Sequence, residues 1–257
     1  RAPELDAQIN ALTLLLRLAE THGALILDPL HAHGGLLALV EAMYHRHSPH
    51  VALLAARLVC APLTLSASRS PLSLAGQWRD FLAARALACV RTALGALPAD
   101  ESLFNAIVAM LLCCKEDDIE ICPSPMLHTA PMLPALFAAA ARAPLRLQAR
   151  QLERLSLWLR LCPENTAALT ATASLWQPHA AAMLAAAIDD VYGSGARGAD
   201  GGGGADPAVA AFFAAGGDGI GGIGGGSGED DDEAASSLCL TYMIELLCTY
   251  AVQTLAS

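Results

Sequence analysis

Apolar residues recur along this chain at the three- and four-residue spacing of an amphipathic helix. Over residues 4–22 they fall at Leu5, Ile9, Leu12, Leu15, Leu16 and Ala19, and Gly23 is the predicted stop. His33-Gly34-Gly35 breaks the chain before a second helix on Leu36, Leu37, Leu39, Val40 and Met43. Ser48-Pro49 offers a capping hydroxyl and a first-position proline. A third helix is therefore predicted there, carrying Val51, Leu54, Ala55, Leu58 and Val59. Residues 62–73, with Pro62 and Pro71, predict a loop, and a long helix follows over about 74–94. Asp100 caps a helix over Glu101–Cys114, and the charged, proline-bearing stretch 115–130 predicts another loop. Helices are expected over Pro131–Arg142, 145–161, a short stretch from Pro163 to about Ala173, and 178–190. Arg146, Arg150 and Arg154 are four apart and are expected to share one solvated face.

Residues 189–233 differ in kind. They hold 16 of the 21 glycines and end in the acidic run Glu229–Glu233. Such a stretch buries too little apolar surface to offset its ordering entropy, so a disordered loop is expected. A short island around Phe212-Phe213 is its one apolar feature. Gly217–Gly222 fits G-x-G-x-x-G, but glycine tracts flank it where a dinucleotide site needs a strand and a helix start. A final helix is predicted over 235–256. The resulting organisation is helical repeats over 1–190, a disordered acidic loop over 191–233, and a helix over 234–257 that completes the last repeat.

Composition narrows the class. The chain has 53 Ala and 44 Leu among 257 residues, with only 5% aromatics. Ala and Leu are strong helix formers, and the residues that favour strands are scarce. A β-sandwich, a barrel and an α/β sheet are excluded as leading readings. The net charge of −10 is concentrated, because residues 189–233 carry ten acids and one Arg. The rest is nearly neutral, and its basic residues form no stripe, so nucleic-acid binding is not expected. Eight scattered cysteines in Leu/Ala-rich surroundings read as free thiols in a reducing compartment, which predicts a cytoplasmic location. Glu245 at the centre of the apolar 235–256 stretch favours a buried helix over a direct membrane span. The first 20 residues are amphipathic rather than signal-like, and the start at Arg1 suggests a piece of a longer protein.

Two constellations bear on chemistry. His31, His33, His45, His47 and His50 bunch at one end, and the last three read His-x-His-x-x-His across a predicted turn. Imidazoles at this spacing can bind zinc or copper, with His45, His47 and His50 as the candidate ligands. The competing reading is a polar turn with exposed histidines. Cys113, Cys114, Cys122 and His128 could supply a second Cys/His site, but they lack a paired C-x-x-C knuckle. Buried and loop cysteines are the alternative there. No G-x-S-x-G, P-loop or H-E-x-x-H occurs, so no catalytic residue and no cofactor are expected.

Helices that follow each sharp break start near 4, 49, 101, 145 and 235. The intervals are 45, 52, 44 and 90, and the last falls to 45 once residues 189–233 are set aside. HEAT and armadillo units repeat at about 40–47 residues. Residues 34–61, with a Gly-Gly turn, the helix LLALVEAM and a second helix opening Pro-x-Val, resemble an armadillo repeat. Residues 163–188 resemble the first two helices of another unit. The resemblance implies an all-α fold, a right-handed α-solenoid of armadillo/HEAT-like repeats with a disordered Gly/Asp-rich insertion. Armadillo units that clamp peptide backbones carry a late Asn in the third helix. Ala61 stands at that place, so the resemblance implies the solenoid without that clamp. The stretch PENTAALTATASLW is similar to the helical-repeat region of neurobeachin-like BEACH-domain proteins. The function expected is non-enzymatic: a scaffold segment that binds other proteins through stacked helices. Alternatives are a membrane-traffic scaffold fragment, peripheral to membranes through its parent protein, and a helical metal protein or enzyme using the His31–His50 cluster.

Overall fold

The computed structural model describes residues 2–44, 48–65, 70–82, 87–122, 125–197 and 228–256. These form twelve α-helices and two 3₁₀ turns, with no strand among the described residues. The helices are α1 (Ala2–His22), α2 (Ala24–Ala32), α3 (Gly35–Met43), α4 (Pro49–Thr64), α5 (Leu74–Phe81) and α6 (Leu87–Gly95). They continue as α7 (Glu101–Leu112), α8 (Leu133–Ala140), α9 (Leu145–Leu161), α10 (Asn165–Ala171), α11 (Ala173–Arg197) and α12 (Gly228–Ala256). The 3₁₀ turns are Glu116–Asp118 and Ala130–Met132. The chain is therefore all-α.

The expected caps at Ser48 and Asp100 form, and Ser73 adds one that the sequence reading did not name. Ser48, Ser73 and Asp100 each accept a hydrogen bond from the backbone N–H three residues on. Other boundaries differ from the sequence reading. Residues 24–32 form α2, although Gly23 precedes them and Pro29 lies inside. Gly34, in the left-handed region at φ 75°, separates α2 from α3. Helix α4 runs through Pro62 instead of stopping there. Every residue from Val51 to Leu63 except Arg57 is buried, and that burial outweighs the roughly 3 kcal/mol cost of an interior proline. Helix α11 likewise starts before Pro178, at Ala173, anchored by the buried Trp176.

The predicted disordered loop of 191–233 is helical at both ends. Helix α11 continues to Arg197, and α12 begins at Gly228. The acidic run Glu229–Glu233 thus opens a helix, where the macrodipole favours negative charge. Residues 198–227, with Phe212-Phe213 and Gly217–Gly222, lie outside the described residues. The predicted long helix over 74–94 is described at its two ends, as α5 and the first part of α6, and residues 83–86 lie outside.

Four of the helices run in one direction. Pro49 and Leu53 at the start of α4 meet Leu97 and Leu103, while Thr64 and Leu65 at its end meet Ala109 and Met110 of α7. Arg150 near the start of α9 pairs with Glu101 at the start of α7, and Leu112 at the end of α7 faces Leu161 at the end of α9. Cys239 Sγ donates to the Leu145 carbonyl, and Gln253 Nε2 donates to the Leu159 carbonyl. So α4, α7, α9 and α12 run parallel in succession. The remaining helices pack behind and between them. Helix α8 touches α6, α7, α9 and α11, and α11 packs on α12.

Behind this row, Trp176 stacks on Phe137 at 4.8 Å between centroids and meets the edge of Tyr250 at 5.7 Å. Its Nε1 donates to the Leu169 carbonyl at 2.8 Å. This cluster joins α8, α10, α11 and α12. Ala234–Leu255 within α12 is long and apolar enough to cross a membrane by length and composition, and a third of that window is buried against the rest of the chain.

Candidate functional site

A concavity lies between the end of α7, the segment that follows it, and α9. It is a groove of about 370 Å³ whose walls include Leu112, Ile119, Cys122, Pro125, Arg154 and Trp158. Its near wall is the segment that follows α7. Cys113 ends α7 at φ 50°, in a left-handed position that usually holds glycine. The Cys114 N–H bonds back to the Ala109 carbonyl and the Cys113 N–H to that of Met110, which closes the helix end. The chain then turns through Glu116–Asp118 by successive three-residue hydrogen bonds, ending with the Cys122 N–H on the Ile119 carbonyl.

Buried polar contacts hold this wall in place. The His128 N–H donates to the Leu111 carbonyl at 2.8 Å, and the Thr129 hydroxyl donates to the Met110 carbonyl. Asn165 is 1% exposed at the start of α10. Its Oδ1 accepts from the Leu127 N–H at 2.8 Å, and its Nδ2 donates to the Pro125 and Trp158 carbonyls at 2.9 and 3.1 Å. One amide side chain therefore ties the returning loop to the end of α9.

The far wall is α9 itself. Arg150, Arg154, Leu157 and Leu161 follow one another at helical spacing on the groove side. Arg154 pairs with Glu120 across the groove at 2.7 Å. Arg146 and Arg150 are exposed as expected, but the Arg154 side chain is only 13% exposed, which corrects the reading of one fully solvated Arg face. Burial pulls the Arg154 guanidinium down from its ordinary value, and its Nη1 has no hydrogen-bond acceptor among the described residues. Leu157 and Leu161 stand exposed on the same groove wall. Apolar and ionic groups alternate here as they do at protein-binding surfaces.

A second ionic contact lies at the α4–α7 seam. Arg57 pairs with Glu116 at 2.7 Å and donates to Ser102. Burial raises the Glu116 carboxyl above the ordinary carboxylate range, and the nearby Glu20 and Asp117 add to this against the pull of Arg57. A carboxyl raised in the folded state contributes stability that is full below the unfolded value and is lost as pH climbs through the folded value. Relative to Glu116→Gln, the native chain is expected to lose stability as pH rises from 4.5 through that window. Urea midpoints measured across pH for both chains check this, and a difference constant with pH contradicts it.

The candidate ligands that the structure describes are not gathered into one site. His45 and His47 lie outside the described residues. His50 is exposed in the first turn of α4, beside Leu97 and Asp100. His31 meets Trp78 edge-on at 6.0 Å, and His33 Nδ1 bonds to the Pro29 carbonyl. Burial and the neighbouring Cys122 push the Cys114 thiol up to about 12, the Cys113 thiol bonds to the Met110 carbonyl, and His128 is exposed. Among the described residues no three His, Cys, Asp or Glu side chains are grouped to hold a metal ion. The groove was not foreseen from sequence, although the spacing of Arg150, Arg154, Leu157 and Leu161 carried its signal. No family model, curated protein or solved structure matches the chain at a significant level.

Proposed function

We propose that this chain is a non-enzymatic scaffold segment that binds a partner protein in the groove between α7 and α9. The observation that carries the proposal is the groove itself, with Arg150 and the exposed Leu157 and Leu161 following one another along its α9 wall. The fitting partner segment carries a carboxylate for the half-exposed Arg150 and an apolar side chain for Leu157 and Leu161. The parallel succession α4, α7, α9, α12, at starts close to one repeat length apart, supports an armadillo/HEAT-type solenoid beneath this surface. The partner is held by side-chain contacts, since no Asn ladder is present on these helices to clamp its backbone. The eight free thiols suit a reducing, cytoplasmic setting.

Panning a displayed library of random linear peptides on the folded chain tests this. Enriched peptides are expected to combine an acidic and a large apolar residue. Their affinity is expected to fall at least about tenfold on Leu161→Asp, a loss of about 1.4 kcal/mol. Leu161 is 61% exposed, so that change leaves the melting temperature nearly unaltered. Enriched peptides indifferent to Leu161→Asp would sink the proposal.

A further inference from the structure

Helices α11 and α12 present a broad face with almost no charge. They pack antiparallel on each other. Ser236 at the start of α12 donates to Asp190, and Tyr250 near its end meets Trp176 at the start of α11. Inner positions such as Met183 and Ala187 of α11 and Met243 and Leu246 of α12 are buried. Outward stand Leu175 and Ile188 of α11 and Leu238, Ile244, Val252 and Leu255 of α12, all exposed. On α12 the exposed Thr241 and Cys248 fall between them at three- and four-residue spacing, so the set forms one stripe. No Lys, Arg, Asp or Glu occurs over 173–188. Over 234–256 the one charged residue is Glu245, which pairs with Arg160 of α9. The opposite end of the succession α4, α7, α9, α12 differs. There α1 packs on α4 and exposes Glu4, Asp6, Arg17 and Glu20. A polar outer face of that kind is what ends a stack of helices in water, and α12 lacks it.

We propose that two copies of this chain meet through the α11–α12 face, with α12 antiparallel to α12 of the second copy about a two-fold axis. A face that carries no charge meets its own copy without a like-charge clash. The orientation follows from the acidic run Glu229–Glu233 at the start of α12. Parallel pairing would set the two runs side by side, whereas antiparallel pairing sends them to opposite ends of the pair. The area is sufficient. At 1.5 Å per residue and about 10 Å between axes, the uncharged lengths of the two helices cover roughly 600 Å² in outline. Their accessible surface exceeds that outline and approaches the roughly 800 Å² a side of a standard interface. A bilayer is the poorer occupant. Helices that lie on membranes carry Lys and Arg beside the apolar face, and no Lys or Arg occurs after Arg197. The inference does not rest on the α7–α9 groove.

Sedimentation equilibrium of the full chain tests this. At about 50 µM the unaltered chain is expected at twice its monomer mass. Val252→Glu and Leu255→Glu are each expected to weaken the pair at least about tenfold, and Leu72→Glu to leave it unchanged. Val252 and Leu255 are 67% and 89% exposed, so both variants keep their helical circular dichroism. Cys248 lies near the middle of the stripe, so the antiparallel pair brings it to its counterpart in the second copy. A short bismaleimide is therefore expected to join two chains through Cys248, mapped by mass spectrometry, and to lose that product in Cys248→Ser. A monomer at this concentration, a dimer that tolerates Val252→Glu, or a link through Cys89 without Cys248 overturns the proposal. So does flotation of the chain with phosphatidylcholine–phosphatidylserine vesicles that is lost in Val252→Glu, which assigns the face to lipid. The mass and the cross-link of the unaltered chain decide the matter should a variant fail to fold.

Discussion

Asn165→Ala is expected to destabilise the chain by about 2–4 kcal/mol. The side chain is 1% exposed and makes three hydrogen bonds to backbone groups of two other segments. The Trp158 carbonyl keeps a second partner in the Cys162 N–H. The Leu127 N–H and the Pro125 carbonyl lose the partner that ties them to α9. Leaving a buried donor or acceptor unmade costs about 1–3 kcal/mol per group. Urea unfolding checks the sum. Amide exchange at Leu127 separates this account from a general loosening, because that one proton should lose protection before its neighbours in α9. A loss below about 1 kcal/mol, with Leu127 still protected, would show that the loop is held by other contacts.

Trp176→Ala is expected to cost about 3–5 kcal/mol, the range for deleting a buried Trp or Phe side chain. Trp176 is 1% exposed and lies where α8, α10, α11 and α12 meet. Its removal strips Phe137 of a stacking partner and Tyr250 of an edge contact, and opens a cavity that helices cannot easily collapse. At this chain length the loss corresponds to a fall in melting temperature on the order of 10 °C. Trp176→Phe keeps a stacking ring and loses the Nε1 hydrogen bond and part of the ring volume, so it should fall well short of the Ala variant. Equal losses in the two variants would place the value of Trp176 in its hydrogen bond rather than in its packing.

Much of the fold was legible because its cause is local. Ser48-Pro49, Asp100 and the Leu periodicity of 145–161 fix caps and faces without reference to the rest of the chain. The boundaries that misled are those where tertiary burial overrides a local breaker. Pro62 stays helical because the residues around it are buried, and Pro178 because Trp176 anchors the turn before it. The acidic run 229–233 looked like loop by composition, yet it suits the positive end of a helix dipole. The metal candidates rested on spacing alone. Spacing alone did not gather Cys113, Cys114, Cys122 and His128 into one site, and His128 is exposed. The groove depends on the separation of α7 from α9, which no local pattern encodes, while its Arg and Leu lining was visible as an i, i+4 stripe.

The central claim is that the α7–α9 groove is where this chain meets its partners. A photo-cross-linking amino acid placed at Leu161, in the full-length chain inside cells, tests it most directly, with the same probe at Leu72 as control. Leu161 rims the groove at 61% exposure, and Leu72 stands at 92% exposure before α5. The account predicts a discrete cross-linked protein from Leu161 that is absent from Leu72 and lost when Arg154 is changed to Glu. Cross-links that are the same from both positions, or that survive Arg154→Glu unchanged, would contradict it.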